Sequence, residues 1–223
     1  MKIVILKINP HRPEPPKIKL AASILKRGGL VAFPTDTVYG LGADATNPRA
    51  IQKIFKVKKR PLSNPLPILI AKKSDLQEFT EIRNPDESRV VKKITNKFWP
   101  GPLTIVLKKK KIIPNIVTAG KNSVGVRVPA DAVALAIIRA LGRPIAATSA
   151  NLHGKPSPTI AMAVKKNLNT KIDLILDGGK TKFGVESTIL DCATSPPTLI
   201  RLGVIPTKTI EKLIGKIKIG RRK

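Results

Sequence analysis

The side chains of this 223-residue sequence that could do chemistry are hydroxyls, cations and glycines in a few short stretches. Strong nucleophiles and metal cages are nearly absent. One cysteine, Cys192, and two histidines, His11 and His153, leave no disulfide within the chain and no Cys/His zinc cluster. No serine has the glycine spacing of a nucleophile elbow, so a Ser-His-Asp arrangement has no seat. The 14 carboxylates are scattered, which argues against a paired-carboxylate mechanism. Cys192 falls in an apolar run that reads as a strand, where a small buried thiol is expected. This inventory suits reactions in which the substrates attack one another and the protein supplies position and charge.

Several stretches concentrate these groups. In Lys58-Lys59-Arg60-Pro61-Leu62-Ser63-Asn64-Pro65-Leu66, Arg60 can fork two phosphate oxygens and Lys58 can add a compact charge. Equally, the cations could simply complement the end of the preceding helix, at roughly 0.3 to 1 kcal/mol each. Charge alone does not choose. The stretch Pro34-Thr35-Asp36-Thr37-Val38-Tyr39-Gly40-Leu41-Gly42-Ala43-Asp44 follows a buried strand, and Gly40, Gly42 and Ala45 loosely match the dinucleotide fingerprint of an NADP enzyme. That match is weak, because the helix cap comes late, at Asn47, and no acid lies about 20 residues on.

Ala147-Thr148-Ser149-Ala150-Asn151 leaves a strand and reaches Gly154-Lys155-Pro156-Ser157-Pro158-Thr159. Hydroxyls at the C-terminal edge of a strand are placed for a ligand in an open α/β sheet, with an ordinary turn as the alternative. Ser123 and Arg127 share one face of a strand, and Gly184-Val185-Glu186-Ser187-Thr188 leads into another. An arginine buried without a partner among valines is costly, so Arg127 calls for an anion such as a ligand carboxylate.

The elements that must position these groups alternate short apolar runs with helical periods, the pattern of an α/β domain. Strands are expected at Met1 to Ile8, Leu30 to Phe33, Leu66 to Ala71, Leu103 to Leu107, Val124 to Val128, Pro144 to Ala147, Leu174 to Leu176, Thr188 to Leu190 and Leu199 to Leu202. Helices are expected from Lys17 to Arg27, from the Asn47-Pro48 cap to Val57, and from Asn84-Pro85 to Phe98. Others run from Asp131 to Gly142, from about Thr159, and from Thr207 to Ile214, with a short one at Ser74 capped reciprocally by Gln77. A frayed tail at Gly220 to Lys223 completes the reading. No internal repeat or long linker divides the chain.

Forty-two Lys and Arg against 14 Asp and Glu give a net charge of +28, so a partner or substrate should be anionic. Aromatic residues are only 3% of the chain, which disfavours sequence-wide base stacking. No apolar run reaches the roughly 18 to 20 residues that span a bilayer, and the N-terminus lacks the long apolar stretch of a secretion signal. A soluble protein of the cytoplasm, with no membrane partner, is expected.

Taken in order, the stretches resemble the YrdC-type L-threonylcarbamoyladenylate synthase family. The likeness runs from about Leu20 to Val204. It rests on Pro-Thr-Asp-Thr-Val-Tyr-Gly-Leu-Gly, the Lys58-x-Arg60-Pro61 loop, Trp-Pro-Gly-Pro-Leu-Thr, Val-Arg-Val-Pro, Thr-Ser-Ala-Asn, Pro-Ser-Pro-Thr, Glu-Ser-Thr and Arg201-Leu202-Gly203. The resemblance implies a twisted, mixed, open sheet with helices packed around it and a concave basic cleft. It also implies an enzyme that joins L-threonine, bicarbonate and ATP into threonylcarbamoyl-AMP and pyrophosphate for threonylcarbamoyladenosine modification of tRNA. A tRNA-threonylcarbamoyl transfer complex would act downstream.

Residue by residue, the family implies nucleotide contacts at Lys58, Arg60, Asn64, Ser123, Ser149, Ser157 and Arg201, with Lys58 and Arg60 catalytic. Thr35, Arg127, Ser187 and the Ala147 backbone would meet threonine, and Thr37 and Tyr39 could line the same cavity or serve structure. Mg²⁺ would arrive with ATP, held by no side chain. Three departures stand out: Leu69 replaces a histidine common in relatives, Asp36 replaces a glutamate, and the second domain of longer relatives is not expected. Residues 1–205 would form the catalytic domain and 206–223 a basic helix and tail. A different class of function, a non-catalytic module for double-stranded RNA or tRNA, is also compatible with the charge.

Overall fold

The computed structural model describes residues 3–220. Met1, Lys2 and 221–223, where the sequence placed the start of the first strand and most of the frayed tail, lie outside the described residues. In chain order the elements are β1 (Val4–Lys7), α1 (Pro15–Lys26), β2 (Val31–Phe33), β3 (Gly40–Asp44), α2 (Pro48–Lys58), β4 (Ile68–Leu69), α3 (Leu76–Phe79), β5 (Thr80–Glu81) and α4 (Pro85–Phe98). They continue as β6 (Leu103–Lys109), β7 (Ser123–Arg127), α5 (Ala132–Leu141), β8 (Ile145–Ser149), α6 (Ala161–Leu168), β9 (Leu174–Asp177), β10 (Thr188–Asp191), β11 (Thr198–Arg201), α7 (Thr207–Ile214) and β12 (Lys218–Ile219).

Helix starts follow local chemistry. Asn47 accepts from Ala50 N at 3.2 Å, Asn84 from Glu87 N at 2.9 Å and Asp131 from Ala134 N at 2.8 Å, each satisfying a first-turn donor with no intrahelical acceptor. Pro48 and Pro85 occupy first-turn positions where a missing N–H costs nothing. The expected cap at Ser74 differs. Ser74 lies inside a 3-10 turn at Lys73–Asp75, its hydroxyl meets Asp75 Oδ1 at 3.5 Å rather than Gln77, and Asp75 accepts from Lys72 N at 3.2 Å.

Strands order as β1-β9-β2-β3-β8-β4-β7-β6-β10-β11-β12, with β5 added to β6, in a mixed sheet. Alternation along the strands sorts side chains to two faces. Val31, Phe33, Ile145, Leu174 and Leu176 pack with α1 and α5, whereas Leu30, Ala32, Ala146 and Ile175 join the larger core under α2, α4, α6 and α7. Ile210 of α7 and Ile217 beyond it belong to that larger core. Helices therefore cover both faces of the sheet, as the α/β pattern predicts.

Two elements depart from expectation. Gly40–Asp44, absent from the strands expected from sequence, is a strand between β2 and β8, with Gly42 opposite both Val31 and Ala147. A Cβ on Gly42 would lie 2.6 Å from Ile145 Cγ2 and 2.7 Å from Phe33 Cε1, so packing from both neighbours forces a residue of low strand propensity into the sheet. Conversely, the strand expected over Leu66 to Ala71 pairs regularly only at Ile68–Leu69, and on its N-terminal side Pro67 has no N–H to donate. The helix expected from Thr159 starts at Ala161, since the Thr159 carbonyl accepts from Thr181 N at 3.0 Å.

Candidate active site

A cleft of about 300 Å³ opens where the β2–β3 connection, the end of α2, the C-terminal ends of β4, β7 and β8, and the β10 and β11 edge meet. Antiparallel pairing of β3 with β8 sets Gly40 opposite Ser149, and parallel pairing of β4 with β7 sets Leu69 beside Arg127. Of the residues singled out in the sequence, the cleft gathers Thr35, Arg127, Ala147 and Ser187 with Lys58, Arg60, Ser149 and Arg201. Asn64, Ser123 and Ser157 do not line it. Asn64 offers its carbonyl to Arg60 Nε at 3.0 Å, Ser123 begins β7 opposite Lys108, and Ser157 reaches the wall only through Glu186, to which it donates at 2.6 Å.

One corner is closed on itself. Arg127 donates from Nη2 to Asp36 Oδ1 at 2.5 Å, from Nη1 to Thr37 Oγ1 at 2.9 Å and from Nε to the Gly101 carbonyl at 2.9 Å. Asp36 Oδ1 also accepts from Ala130 N at 3.1 Å. The anionic partner expected for Arg127 is thus a protein carboxylate, and the arginine is only 6% exposed and Asp36 3%. Burial lowers the proton affinity of Arg127 and Asp36 opposes that shift. Thr35 Oγ1 donates to the Val38 carbonyl at 2.6 Å and meets Thr37 Oγ1 at 2.9 Å, so the Thr35–Thr37 turn is held before any ligand arrives. Asp36 Oδ2 is buried without a partner. Leu69, 4% exposed, gives this corner an apolar wall.

The other end presents cations. Lys58, 1% exposed, donates from Nζ to the Ser149 carbonyl at 2.5 Å and to the Asn151 carbonyl. Burial first, and Arg60 second, push its ammonium down to about 7, while Glu186 acts in the opposite direction. Arg60 donates to the carbonyls of Asn64 and Pro65 at 3.0 and 2.9 Å and has no carboxylate partner among the described ion pairs. Arg201 pairs with Glu186 and donates to the Ser187 carbonyl, from Nε at 3.1 Å and Nη2 at 2.9 Å. Gly203 lets the chain after β11 lie directly on the Glu186–Ser187 backbone, where a Cβ would collide with the Glu186 carbonyl.

Glu186, His153, Thr104 and Asn151 line the cleft without having been assigned a role from sequence. Glu186 stood in a quoted motif, but its place among the cations depends on Arg201, 15 residues away. Thr104 Oγ1 meets Ser187 Oγ at 2.9 Å and so orients that hydroxyl. Tyr39 is outside the wall: its hydroxyl donates to the Gly179 carbonyl at 2.7 Å, and burial pushes its proton affinity up. Cys192, just past β10, is buried, which raises its thiol's proton affinity. Among the described residues no cluster of three His, Cys, Asp or Glu could hold a metal ion. Glu186 is the one carboxylate lining the cleft among the described residues, and both its oxygens are engaged. A divalent cation here would fit only with oxygens brought by a ligand.

Comparison with known proteins places this geometry. The Sua5/YciO/YrdC family model, described as telomere recombination, matches residues 23–203. Threonylcarbamoyl-AMP synthase of Pyrococcus abyssi is 48% identical over 209 residues, covering 94% of this chain and 60% of the relative. The Bacillus subtilis enzyme of the same name is 47% identical, covering 92% and 59%. This chain therefore spans about six-tenths of the length of these relatives. P. abyssi Sua5 complexed with L-threonine superposes with a TM-score of 0.92 at 46% identity, covering 97% of this chain and 62% of that one. E. coli YciO superposes at 0.83 with 27% identity, covering 93% and 99%. No helix among the described residues is long and apolar enough to cross a membrane.

Proposed function

Since the chain belongs to the Sua5/YciO/YrdC family, we propose that it makes threonylcarbamoyl-AMP and pyrophosphate from L-threonine, bicarbonate and ATP in the cytoplasm, for threonylcarbamoyladenosine modification of tRNA. The observation that carries this reading is the union, in one cleft, of a pre-ordered hydroxyl corner around Arg127 with the cations Lys58, Arg60 and Arg201. The Thr35 turn, Arg127, Ser187 and the Ala147 backbone hold threonine. Lys58, Arg60, Ser149 and Arg201 hold the nucleotide, and Asn64, Ser123 and Ser157 are assigned to it by resemblance alone.

The chemistry needs no protein nucleophile. Threonine's amine adds to carbon dioxide from bicarbonate, a carbamate oxygen attacks the α-phosphorus, and the bond to pyrophosphate breaks. The cleft contributes by holding the two reactants in line and by setting cations against the charge that develops on the phosphoryl oxygens. Mg²⁺ bound with ATP would supply further neutralisation of the triphosphate. The net charge of +28 supports RNA as an additional partner, and transfer to tRNA would be completed by other proteins.

Pyrophosphate release, measured with all three substrates and with each omitted, tests the reading. Release is expected only with the complete set, and release from ATP without threonine would overturn it. Tight, salt-sensitive RNA binding with no product under any condition would favour the non-catalytic module instead.

A further inference from the structure

A count of protons separates two pairs of hydroxyls in the cleft. Thr35 Oγ1 donates to the Val38 carbonyl at 2.6 Å, so the 2.9 Å bond it shares with Thr37 Oγ1 is donated by Thr37. Both protons are spent inside the protein. Thr104 Oγ1 and Ser187 Oγ also lie 2.9 Å apart, but among the described hydrogen bonds neither has a carbonyl or carboxylate to donate to, and Ser187 Oγ accepts from Arg201 Nη2 at 3.2 Å. Two hydroxyls carry two protons and their mutual bond uses one, so one O–H is left over whichever of them donates. Both residues are buried and line the cleft.

The sheet fixes where that surplus donor sits. Ile105 pairs with Val126 in the antiparallel ladder of β6 and β7, and one step further along brings Thr104 level with Arg127. On its other side Thr104 pairs with Ile189 of β10, two residues beyond Ser187. A Cβ on Gly125 would lie 3.2 Å from Thr104 Cγ2, so the threonine methyl is seated over that glycine. Methyl and hydroxyl share one Cβ, and seating the first aims the second. Arg127 spends three of its five N–H groups on Asp36, Thr37 and Gly101, which leaves two.

We propose that Thr104 is a positioning residue for amino-acid recognition: it donates to Ser187 Oγ and so turns the Ser187 O–H toward the carboxylate of the amino acid, beside the Arg127 guanidinium. The inference rests on threonine as the substrate, proposed above, and adds which group of it Ser187 meets. Accepting from Thr104 and Arg201 fills both lone pairs of Ser187, so its hydroxyl can only donate. A carboxylate only accepts and an ammonium only donates, so the site takes the acid end of the amino acid and rejects the amine. The amine is thereby left free to take up carbon dioxide. A charged acceptor also makes a stronger bond than the substrate's own hydroxyl would.

Steady-state pyrophosphate release, with threonine and ATP varied in turn, tests this. Thr104→Val keeps the methyl and removes the hydroxyl, and KM for threonine should rise about 5- to 10-fold. The kcat and the KM for ATP should hold, because the contact is made equally in ground and transition states. Thr104→Ser should recover most of the loss, and Thr104→Ala replaces valine if that variant melts early. In a Ser187→Ala background Thr104→Val should cost nothing further, whereas independent contacts would multiply. L-2-aminobutyrate, which keeps the carboxylate and lacks the side-chain hydroxyl, should weaken by the same factor as a competitor of threonine. An unchanged KM for threonine, an equal rise in KM for ATP, multiplying effects in the double variant, or a competitor indifferent to Thr104→Val overturns the inference and spares the proposed function. Wild-type protein that releases no pyrophosphate with all three substrates overturns both.

Discussion

At one end of the cleft Arg127 lies against Asp36, Thr37 and the Gly101 carbonyl, while at the other Lys58 and Arg60 have only main-chain carbonyls for partners. The first end has brought its own counter-charge into the fold. Among the described residues the second keeps cations without matching carboxylates, apart from Glu186, which is committed to Arg201 and Ser157. Desolvation explains why both arrangements can coexist. Arg127 holds its proton and takes a carboxylate, whereas Lys58, no less buried, has carbonyl dipoles and a lowered proton affinity, and Arg60 has carbonyls, until an anion comes. Loss of a charge at the first end should therefore damage folding, and loss at the second should damage activity.

The sharpest break is Asp36→Ala. It strands the Arg127 guanidinium without its counter-charge and should destabilise the protein by about 3 to 5 kcal/mol in chemical denaturation. Arg60→Ala should instead cost about 100-fold or more in pyrophosphate release, with the melting temperature nearly unchanged. If Arg60→Ala melts as early as Asp36→Ala, the two ends do not differ in the way described.

Two smaller effects sharpen the contrast through pH. Native Lys58 binds a proton less readily than the unfolded chain between about pH 7 and the ordinary 10.5, so its penalty on the fold is full below 7 and fades as pH rises. The melting-temperature difference, Lys58→Met minus wild type, should fall as pH climbs from 7 toward 10. Asp131, at the N-terminus of α5 near the closed end, has the opposite slope. Burial first, against its backbone hydrogen bonds, pushes its carboxyl from 3.8 to about 6, so the native state holds the proton more readily and stability from this group declines as pH rises through that window. Asp131→Asn keeps the cap acceptor and removes the titration, and should flatten the melting temperature between pH 4 and 6. A slope that survives in Asp131→Asn belongs to another group.

Local rules made much of the fold legible. The caps at Asn47, Asn84 and Asp131, and the helix end at Gly142 with φ of 69°, are contained within a few consecutive residues, and each lies where the pattern put it. The motif order brought Thr35, Lys58, Arg60, Arg127, Ser149 and Arg201 to one cleft. Strand β3 was hidden because Gly40, Gly42 and Ala43 carry no strand signal, the smallness of Gly42 being imposed by Phe33 and Ile145. The counter-ion of Arg127 was hidden for a related reason, since Asp36 is 91 residues away.

The amino-acid order by itself determined the helices, the turn chemistry and the pool of hydroxyls and cations available to a ligand, because those depend on neighbours within a turn or two of chain. Which charges are neutralised inside the protein and which are left for a substrate was decided by the sheet. The pairings of β3 with β8, β4 with β7 and β10 with β11 bring distant carboxylates, carbonyls and cations toward one another. Electrostatic and desolvation energies depend on that distance in space and on burial, and neither is a property of spacing along the chain.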